Sequence, residues 1–236
     1  MLRHYADATT LEYGVDEVAR GCLFGRVYAG AVVWKLPSEQ PEDPHEAVEL
    51  SKGVVIRDSK TMSKAQRERA DIWIRKNAYS VSTSHKEVTF IDNNNILIAA
   101  QEAMCEALQK TQRNVCERNE TSLQASSIVE HALIDGNTFR PLTPVPMHHT
   151  CVIKGDSKYF AIACAAIVAK VAHDKYIVEL CAKYPILNER YDLLKNMGYG
   201  TQKHITGIQT HGITTMHRKS FGCCRSLVPY SMVTNV

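Results

Sequence analysis

The sequence predicts an α/β layer fold with a small helical C-terminal appendage. Short runs of β-branched and aromatic residues alternate loosely with segments of helical apolar spacing. The Ala-rich stretch 159–184 is the strongest helix pattern in the chain, and Pro185 closes it. A length of 236 residues permits one large domain with a satellite. We therefore expect a main domain over 10–184 and an appendage over 185–236.

The first half of the chain predicts a β-hairpin followed by alternating helices and a strand. Ser63 is a suitable N-cap for the first of these helices, because its hydroxyl can accept from a backbone N–H of the first turn. The predicted segments are strands Leu11–Val18 and Leu23–Trp34, a loop or weak helix at 36–50, a helix at 63–76, a strand at 81–91, a helix at 95–109 and a loop at 111–127.

The second half predicts two short strands that each end in a carboxylate. Residues 129–134 run into Asp135-Gly136, and residues 150–153 run into Lys154-Gly155-Asp156. The helix over 159–184 follows, and a further helical segment after Gly200 runs towards Gly212.

Composition limits the class of protein. Hydrophobic residues make up 44% and charged residues 22% of the chain, as in soluble globular domains. The longest apolar stretches, such as 159–171, are shorter than the roughly 20 residues that a membrane-spanning helix needs. No signal-peptide pattern opens the chain, so we expect a cytoplasmic protein, or a nuclear one in a eukaryotic or viral source. The eight cysteines form no C-x-x-C pair, and we expect mostly buried thiols.

Charge is distributed unevenly. Residues 1–150 carry 17 Lys and Arg against 20 Asp and Glu, whereas residues 151–236 carry 11 against 5. This basic C-terminal third fits a polyanionic partner, but it also fits an ordinary solvated surface.

Four carboxylates stand where predicted strands give way to turns: Asp16, Glu17, Asp135 and Asp156. Side chains from distant parts of a sequence can meet at such strand ends, and carboxylates that meet repel one another unless a cation lies between them. Hard oxygen ligands favour Mg²⁺ or Mn²⁺. The same residues also fit ordinary turns, since Asp-Gly is a common turn dipeptide.

The segment Gly14-Val15-Asp16-Glu17-Val18-Ala19-Arg20-Gly21 resembles the signature that opens the type 2 ribonucleases H, the family that includes bacterial ribonuclease HII. Further blocks resemble the same family in the same order. They are Asp58-Ser59-Lys60, Ile91-Asp92 with Asn95-Ile96-Leu97, Leu133-Ile134-Asp135-Gly136, Lys154-Gly155-Asp156-Ser157-Lys158, Ala169-Lys170-Val171 with Asp174, Gly198-Tyr199-Gly200-Thr201 with His204, and His217-Arg218-Lys219-Ser220-Phe221. The blocks span residues 14–221.

The resemblance implies a ribonuclease H-like fold, a mixed sheet flanked by helices. It implies an endoribonuclease that cleaves the RNA strand of RNA/DNA hybrids and incises at ribonucleotides embedded in duplex DNA. By the same resemblance, the four carboxylates hold two divalent ions, Mg²⁺ or Mn²⁺, and the products carry 3′-hydroxyl and 5′-phosphate ends. Adjacent residues of a regular strand face opposite ways, so metal binding by both Asp16 and Glu17 predicts a bulge or turn at Val18.

The resemblance also implies a set of substrate-binding residues. Arg20, Gly21 and Tyr199 match the family's reader of the DNA–RNA junction, where the 2′-hydroxyl distinguishes RNA from DNA. The positions that match phosphate contacts or their neighbours are Ser59, Lys60, Asn95 and Lys170. Each of these residues, taken singly, also fits an ordinary surface or turn position. We expect structural roles for Asp174 and His204, and packing of the appendage on the core by 217–221.

Four residues depart from the family pattern. Ala19 stands where the first turn glycine is usual, and Cys22, Arg57 and His173 replace a common proline, asparagine and arginine. These departures alter the substrate reader and leave the carboxylates intact.

Two other functions remain open from the sequence. One is a catalytically weakened hybrid-binding module of the same fold, whose mark would be a missing carboxylate, and none is missing. The other is a catalytic subunit in a heterotrimer of the eukaryotic type, whereas otherwise we expect a monomer. Residues 229–236 show no clear sliding-clamp motif, so we expect no such partner.

Overall fold

The computed structural model describes residues 2–120 and 128–229, and a five-stranded mixed sheet forms its centre. The strands are β1 (Leu11–Val18), β2 (Val27–Val33), β3 (Ser80–Lys86), β4 (Glu130–Asp135) and β5 (His148–Val152). Their order is β3-β2-β1-β4-β5. The first three pair antiparallel, whereas β4 runs parallel to both β1 and β5. This mixed sheet confirms the predicted fold class.

Helices cover both faces of the sheet and form the C-terminal region. They are α1 (Lys64–Asn77), α2 (Val88–Asn94), α3 (Ile96–Glu120), α4 (Phe160–Lys183), α5 (Ile186–Tyr191), α6 (Leu193–Asn196) and α7 (Gln202–His211). The predicted cap of α1 is confirmed, because the Ser63 hydroxyl accepts from the Gln66 N–H and the Gln66 side chain accepts from the Ser63 N–H.

The Ala-rich helix α4 packs directly on the backbone of β1 and β2. A Cβ atom added at Gly14 would lie 2.3 Å from the backbone carbon of Ala161, and one at Gly30 would lie 2.4 Å from the carbonyl oxygen of Ala165. Glycine on the strands and alanine on the helix therefore permit a close approach that larger residues would prevent. On the other face of the sheet, α3 packs over the buried side chains of Tyr13 and other strand residues.

Parts of three predicted segments are wrong. The predicted strand Leu23–Trp34 begins only at Val27, because 23–26 belong to the loop after β1. The predicted strand 81–91 ends at Lys86, and 88–94 form α2, where Val88 and Ile91 are buried three residues apart on one helical face. The predicted loop 111–127 is wrong over 111–120, because α3 continues to Glu120. Thr111 and Val115 lie four residues apart and extend the buried face of α3. The residues around them are mostly polar, which is why the sequence pattern indicated a loop. The remainder of that loop, 121–127, lies outside the described residues.

The C-terminal region packs against the end of α4 and against the loop after β1. Leu187, Tyr191 and Ile208 form a buried cluster with Ile177 of α4 and Phe24 of that loop. The helix after Gly200 and the packing role of 217–221 agree with the prediction, whereas the boundary at 184/185 stays a prediction.

Two further sequence predictions concern the cysteines and the C-terminus. Five of the eight thiols are buried: Cys22, Cys105, Cys164, Cys181 and Cys224. In the described part of the chain, no helix has the length and apolarity to cross a membrane. The interpretation of 229–236 as lacking a clamp motif falls almost entirely on residues outside those described.

Candidate active site

Three carboxylates meet at the end of the central strands. One oxygen from each of Asp16, Glu17 and Asp135 lies within 4.8 Å of the others. The Glu17 N–H also donates to Asp16 Oδ1 at 2.7 Å. The residues come from β1 and β4, which are neighbours in the sheet although 118 positions separate Glu17 from Asp135 in the sequence.

The ends of the strands explain how both Asp16 and Glu17 reach this cluster. The parallel pairing of β1 with β4 stops at Val15 and Ile134, so within the described ranges no backbone pairs with β1 on that side beyond Val15. The predicted bulge or turn at Val18 is wrong, because β1 pairs regularly with β2 through Val18 and leaves β geometry at Ala19, with φ of 70°. The longer side chain of Glu17 reaches its neighbours from a regular strand.

Asp156 differs from its predicted position at a strand end. β5 ends at Val152, and Asp156 lies in a 3-10 turn, Gly155–Ser157, that follows Lys154 in the left-handed region. The N–H of Gly155 donates to Asp135 Oδ1 at 2.6 Å, which ties this turn to the cluster. Asp156 itself is not among the three residues that meet within 4.8 Å, and its Oδ2 lies 4.0 Å from the Lys60 ammonium.

Burial and mutual repulsion raise the pKa values of three carboxylates at this site. Burial raises the pKa of Asp16, Asp135 and Asp156. Repulsion from Glu17 and Asp135 raises the pKa of Asp16 further, and repulsion from Asp135 does the same for Asp156. A divalent cation held between such oxygens would remove this repulsion, and an all-oxygen donor set suits Mg²⁺ or Mn²⁺. The residues present therefore fit such an ion.

A cavity of about 510 Å³ opens over the three carboxylates. It brings together most of the predicted substrate-binding residues: Arg20, Gly21, Ser59, Lys60, Lys170 and Tyr199. All three of these basic side chains lie near acidic ones, Lys60 beside Asp156 as described above. Arg20 Nη1 lies 2.9 Å from Glu17 Oε1, and Lys170 Nζ lies 2.7 Å from Asp174 Oδ1.

Ser59 and Asn95 occupy positions with clear structural roles. Ser59 is buried in a 3-10 turn, and its carbonyl accepts from Arg67 Nη1 at 3.3 Å. Asn95 does not line the cavity, although its neighbour Ile96 does. The Asn95 side-chain oxygen accepts from the Ile98 N–H at 3.1 Å and so caps α3, in a backbone conformation with φ of 73°.

The loop between β1 and β2, residues 19–26, is held by a buried arginine that the sequence placed only within a packing segment. Arg218 donates from Nε to the carbonyl of Gly25 at 2.8 Å, from Nη1 to that of Arg20 at 3.0 Å and from Nη2 to that of Arg26 at 2.9 Å. The block 217–221 contains this arginine, but nothing in the local sequence indicates that its side chain binds three carbonyls of the loop. Its role arises only from the tertiary contact.

A chain of two histidines supports Tyr199 from behind. The Thr214 N–H donates to His217 Nδ1 at 3.0 Å, so the His217 proton lies on Nε2 and points to His204 Nε2 at 3.2 Å. His204 Nδ1 then donates to the Tyr199 carbonyl at 3.0 Å. Burial lowers the pKa of both histidines, that of His217 to about 3, so both are neutral. The expected structural role of His204 agrees with these contacts.

Comparisons with known proteins agree with this fold. The family model for Ribonuclease HII matches residues 13–224. The relative named Ribonuclease HII from Parabacteroides distasonis is 38% identical over 94% of each chain, and that from Trichodesmium erythraeum is 39% identical over 91% of this chain and 88% of the relative. The structure of ribonuclease H2 from Pyrococcus horikoshii has a TM-score of 0.57 at 18% identity, covering 91% of this chain and 95% of that chain.

A further solved structure, Bst-RNase HIII in complex with Mn²⁺, has a TM-score of 0.57 at 16% identity, covering 92% of this chain and 68% of that one. The fold, the acidic cluster and the family match define a metal-dependent hydrolase of the type 2 ribonuclease H class. The chain belongs to the ribonuclease HII family, and it is an endoribonuclease that acts on RNA/DNA hybrids.

Proposed function

We propose that this protein cleaves the RNA strand of hybrids and also incises at single ribonucleotides embedded in duplex DNA, leaving 3′-hydroxyl and 5′-phosphate ends. The observation that supports this proposal best is the position of the acidic cluster. Asp16, Glu17 and Asp135 lie at the base of a cavity whose walls include Arg20 and Tyr199. A nucleic-acid strand that contacts these walls would bring a phosphodiester to the carboxylates.

In this proposal Asp16, Glu17, Asp135 and Asp156 hold two divalent ions, Mg²⁺ or Mn²⁺. Such a pair, when bound, lowers the pKa of the attacking water and stabilises the leaving 3′-oxygen. The carboxylates fix where the ions bind, and the Gly155 N–H orients Asp135 through its 2.6 Å hydrogen bond.

The other cavity residues bind and orient the substrate. Lys60 and Lys170 contact phosphates, which position the duplex without reading its sequence. The backbone at Arg20 and Gly21 contacts the 2′-hydroxyl, and the ring of Tyr199, which is 37% exposed, stacks near the next deoxyribose. These contacts select the junction that is cleaved. In the same proposal Ser59 and Asn95 lie next to the phosphate contacts and support them indirectly. Ser59 does so through the 3-10 turn and Asn95 through the helix cap.

The test is an assay of purified protein on three matched duplexes, one with a long RNA strand, one with a single ribonucleotide and one of DNA alone, each with Mg²⁺ and with Mn²⁺. We expect incision of the first two and none of the third. Ligation of the products to a 5′-phosphate-dependent adaptor identifies the ends. Cleavage of the hybrid without incision at the single ribonucleotide would refute the second activity, and 3′-phosphate ends would refute the proposed hydrolysis.

A further inference from the structure

Asp174 joins a lysine of the cavity to a buried polar group behind it. It lies one turn after Lys170 on α4, and its Oδ1 accepts from Lys170 Nζ at 2.7 Å and faces His173 Nδ1 at 3.1 Å. Its Oδ2 lies 3.4 Å from Arg67 Nη2. The side chains of Lys170, Arg67 and Asp174 are at most 16% exposed, so the group is shielded from water.

Arg67 is itself held in place. Its Nη1 donates to the carbonyls of Ser59 and Met62 at 3.3 and 2.5 Å. The Arg67 guanidinium therefore links the 3-10 turn at 59–61, one wall of the cavity, to Asp174 on α4. The carboxylate of Asp174 is therefore held by Arg67 and His173 independently of its contact with Lys170.

His173 contributes a hydrogen bond but no charge. A carboxylate can only accept, so Nδ1 carries the proton, and Nε2 is buried without a hydrogen-bond partner among the residues that the structure describes. Burial lowers the pKa of His173, which keeps the ring neutral. Two cations, Arg67 and Lys170, thus share one anion, Asp174. These three side chains together keep one positive charge in excess, and Lys170 is the one that lines the cavity.

The held lysine faces the substrate cavity. Lys170 lines the cavity with Tyr199, and its ammonium lies 5.5 Å from the centre of the Tyr199 ring. A lysine on a flexible four-carbon stem samples many rotamers when unbound, and ordering it costs free energy whenever it meets a ligand. The bond to Asp174 selects one rotamer in advance.

We propose that Asp174 is a positioning residue that holds the Lys170 ammonium beside Tyr199, so that Lys170 meets a substrate phosphate in a fixed geometry. Arg67 offsets the Asp174 charge, which would otherwise cancel the attraction of Lys170 for that phosphate. This inference rests on the proposed function, in which Lys170 contacts substrate.

Charge and position predict opposite effects for the variant Asp174→Asn. Removal of a negative charge alone would tighten the binding of a polyanion. Loss of the lysine's anchor would weaken it. A matched control is Glu179→Gln, which removes the same charge from the same helix, where Glu179 and Lys175 form an exposed pair at 3.8 Å outside the cavity.

The experiment is a double-mutant cycle on Asp174 and Lys170. The dissociation constant for a duplex with one ribonucleotide is measured by fluorescence anisotropy in EDTA, and KM and kcat are measured in Mg²⁺. We expect Asp174→Asn to raise the dissociation constant and KM about three- to tenfold with kcat little changed, and to have no further effect in a Lys170→Met background. Glu179→Gln should leave the dissociation constant unchanged or slightly lower.

Each other outcome has a defined meaning. An unchanged dissociation constant in Lys170→Met would refute the proposed substrate contact itself. If Lys170→Met weakens binding while Asp174→Asn tightens it, or acts equally in both backgrounds, the positioning role is wrong. Melting temperatures monitor folding. If Asp174→Asn does not fold, Asp174→Glu, which keeps the charge and moves the carboxylate by one methylene, takes its place in the cycle.

Discussion

The acidic cluster and the loop over 19–26 lie side by side in one cavity, yet different forces hold them. The cluster is positioned by backbone pairing of β1 with β4, a ladder of five residue pairs. The loop is positioned by isolated contacts from the C-terminal region. They are the three side-chain hydrogen bonds of Arg218 and single backbone hydrogen bonds, such as that from the Leu23 N–H to the Gly198 carbonyl and that from the Gly25 N–H to the Met216 carbonyl, both 2.8 Å.

Under the proposed function, this difference separates the residues of the chemical step from those that recognise the ribonucleotide. A ladder shares its energy among many bonds, so a distant substitution shifts the cluster little. The loop depends on a few buried polar contacts, each costly to lose. We therefore expect catalytic function to fail through substitutions inside the cluster, and reading of the ribonucleotide to fail also through substitutions far away in sequence.

The largest expected effect comes from the cluster itself. Asp16→Asn or Asp135→Asn should reduce cleavage to background while hybrid binding largely persists, because the lost charge weakens metal binding more than the phosphate contacts made elsewhere. Single-turnover cleavage in Mg²⁺ and anisotropy binding in EDTA measure the two properties. Near-normal turnover of either variant would refute the assignment of these residues to the metal site.

Arg218→Met tests the other side of the comparison. It removes the buried donor of three backbone carbonyls, and we expect the free energy of unfolding to fall by about 3 kcal/mol. Incision at a single ribonucleotide should fall more than cleavage of a long hybrid, because the loop loses its support. Urea unfolding and paired kcat/KM values measure these effects.

The matched control for this variant is Arg225→Met. Arg225 bonds the single carbonyl of Ser220 at an exposed site, so its loss should change stability by less than about 0.5 kcal/mol. Equal losses from the two variants would show that burial of Arg218 is not what holds the loop.

The histidine pair behind Tyr199 makes the same region sensitive to acid. The pKa of His217 is near 6.5 in the unfolded chain and about 3 in the folded protein. Below pH 6.5 the unfolded state therefore binds a proton that the folded state does not bind. Stability is therefore full above about pH 6.5 and falls as the pH drops towards 3. From pH 7 to pH 5, protonation of His217 alone should lower the free energy of unfolding by about 2 kcal/mol.

Urea unfolding at the two pH values measures this loss. His217→Gln should unfold with a pH dependence smaller by about 2 kcal/mol. A His217 variant with unchanged pH dependence would contradict the burial of a neutral imidazole.

The acidic cluster could be predicted from the sequence better than the contacts that hold the residues around it. The strand ends that carry Asp16 and Asp135 follow from local apolar patterns, and collinear motifs supplied the rest of the cluster. Asp156 does not lie at a strand end as predicted, because it belongs to a 3-10 turn that is tied to Asp135 by a tertiary hydrogen bond. The roles of Arg67 and Arg218 could not be predicted from the local sequence. Arg218 binds carbonyls that are distant in sequence, and Arg67 binds carbonyls that only the folded 3-10 turn brings near it.

The smallest expected effect concerns Ala19, the residue at which β1 leaves regular geometry. Ala19 is buried and has φ of 70°, a conformation that costs an L-residue with a Cβ atom about 1–2 kcal/mol. Glycine removes this cost, although it also loses more entropy on folding. We expect Ala19→Gly to raise stability by about 0.5 kcal/mol or leave it unchanged.

The effect of Ala19→Gly on activity should be larger for one substrate than for the other. Removal of the methyl group lets the backbone approach the 2′-hydroxyl more closely, so we expect kcat/KM at a single embedded ribonucleotide to rise about two- to fivefold. A long hybrid offers many registers and should gain less. The control is Asp192→Gly, which relieves a left-handed residue of φ 54° outside the cavity and should not change the ratio of the two activities. A single-ribonucleotide value that is unchanged or lower in Ala19→Gly would show that the rest of the loop, including the buried Cys22, already accommodates the alanine.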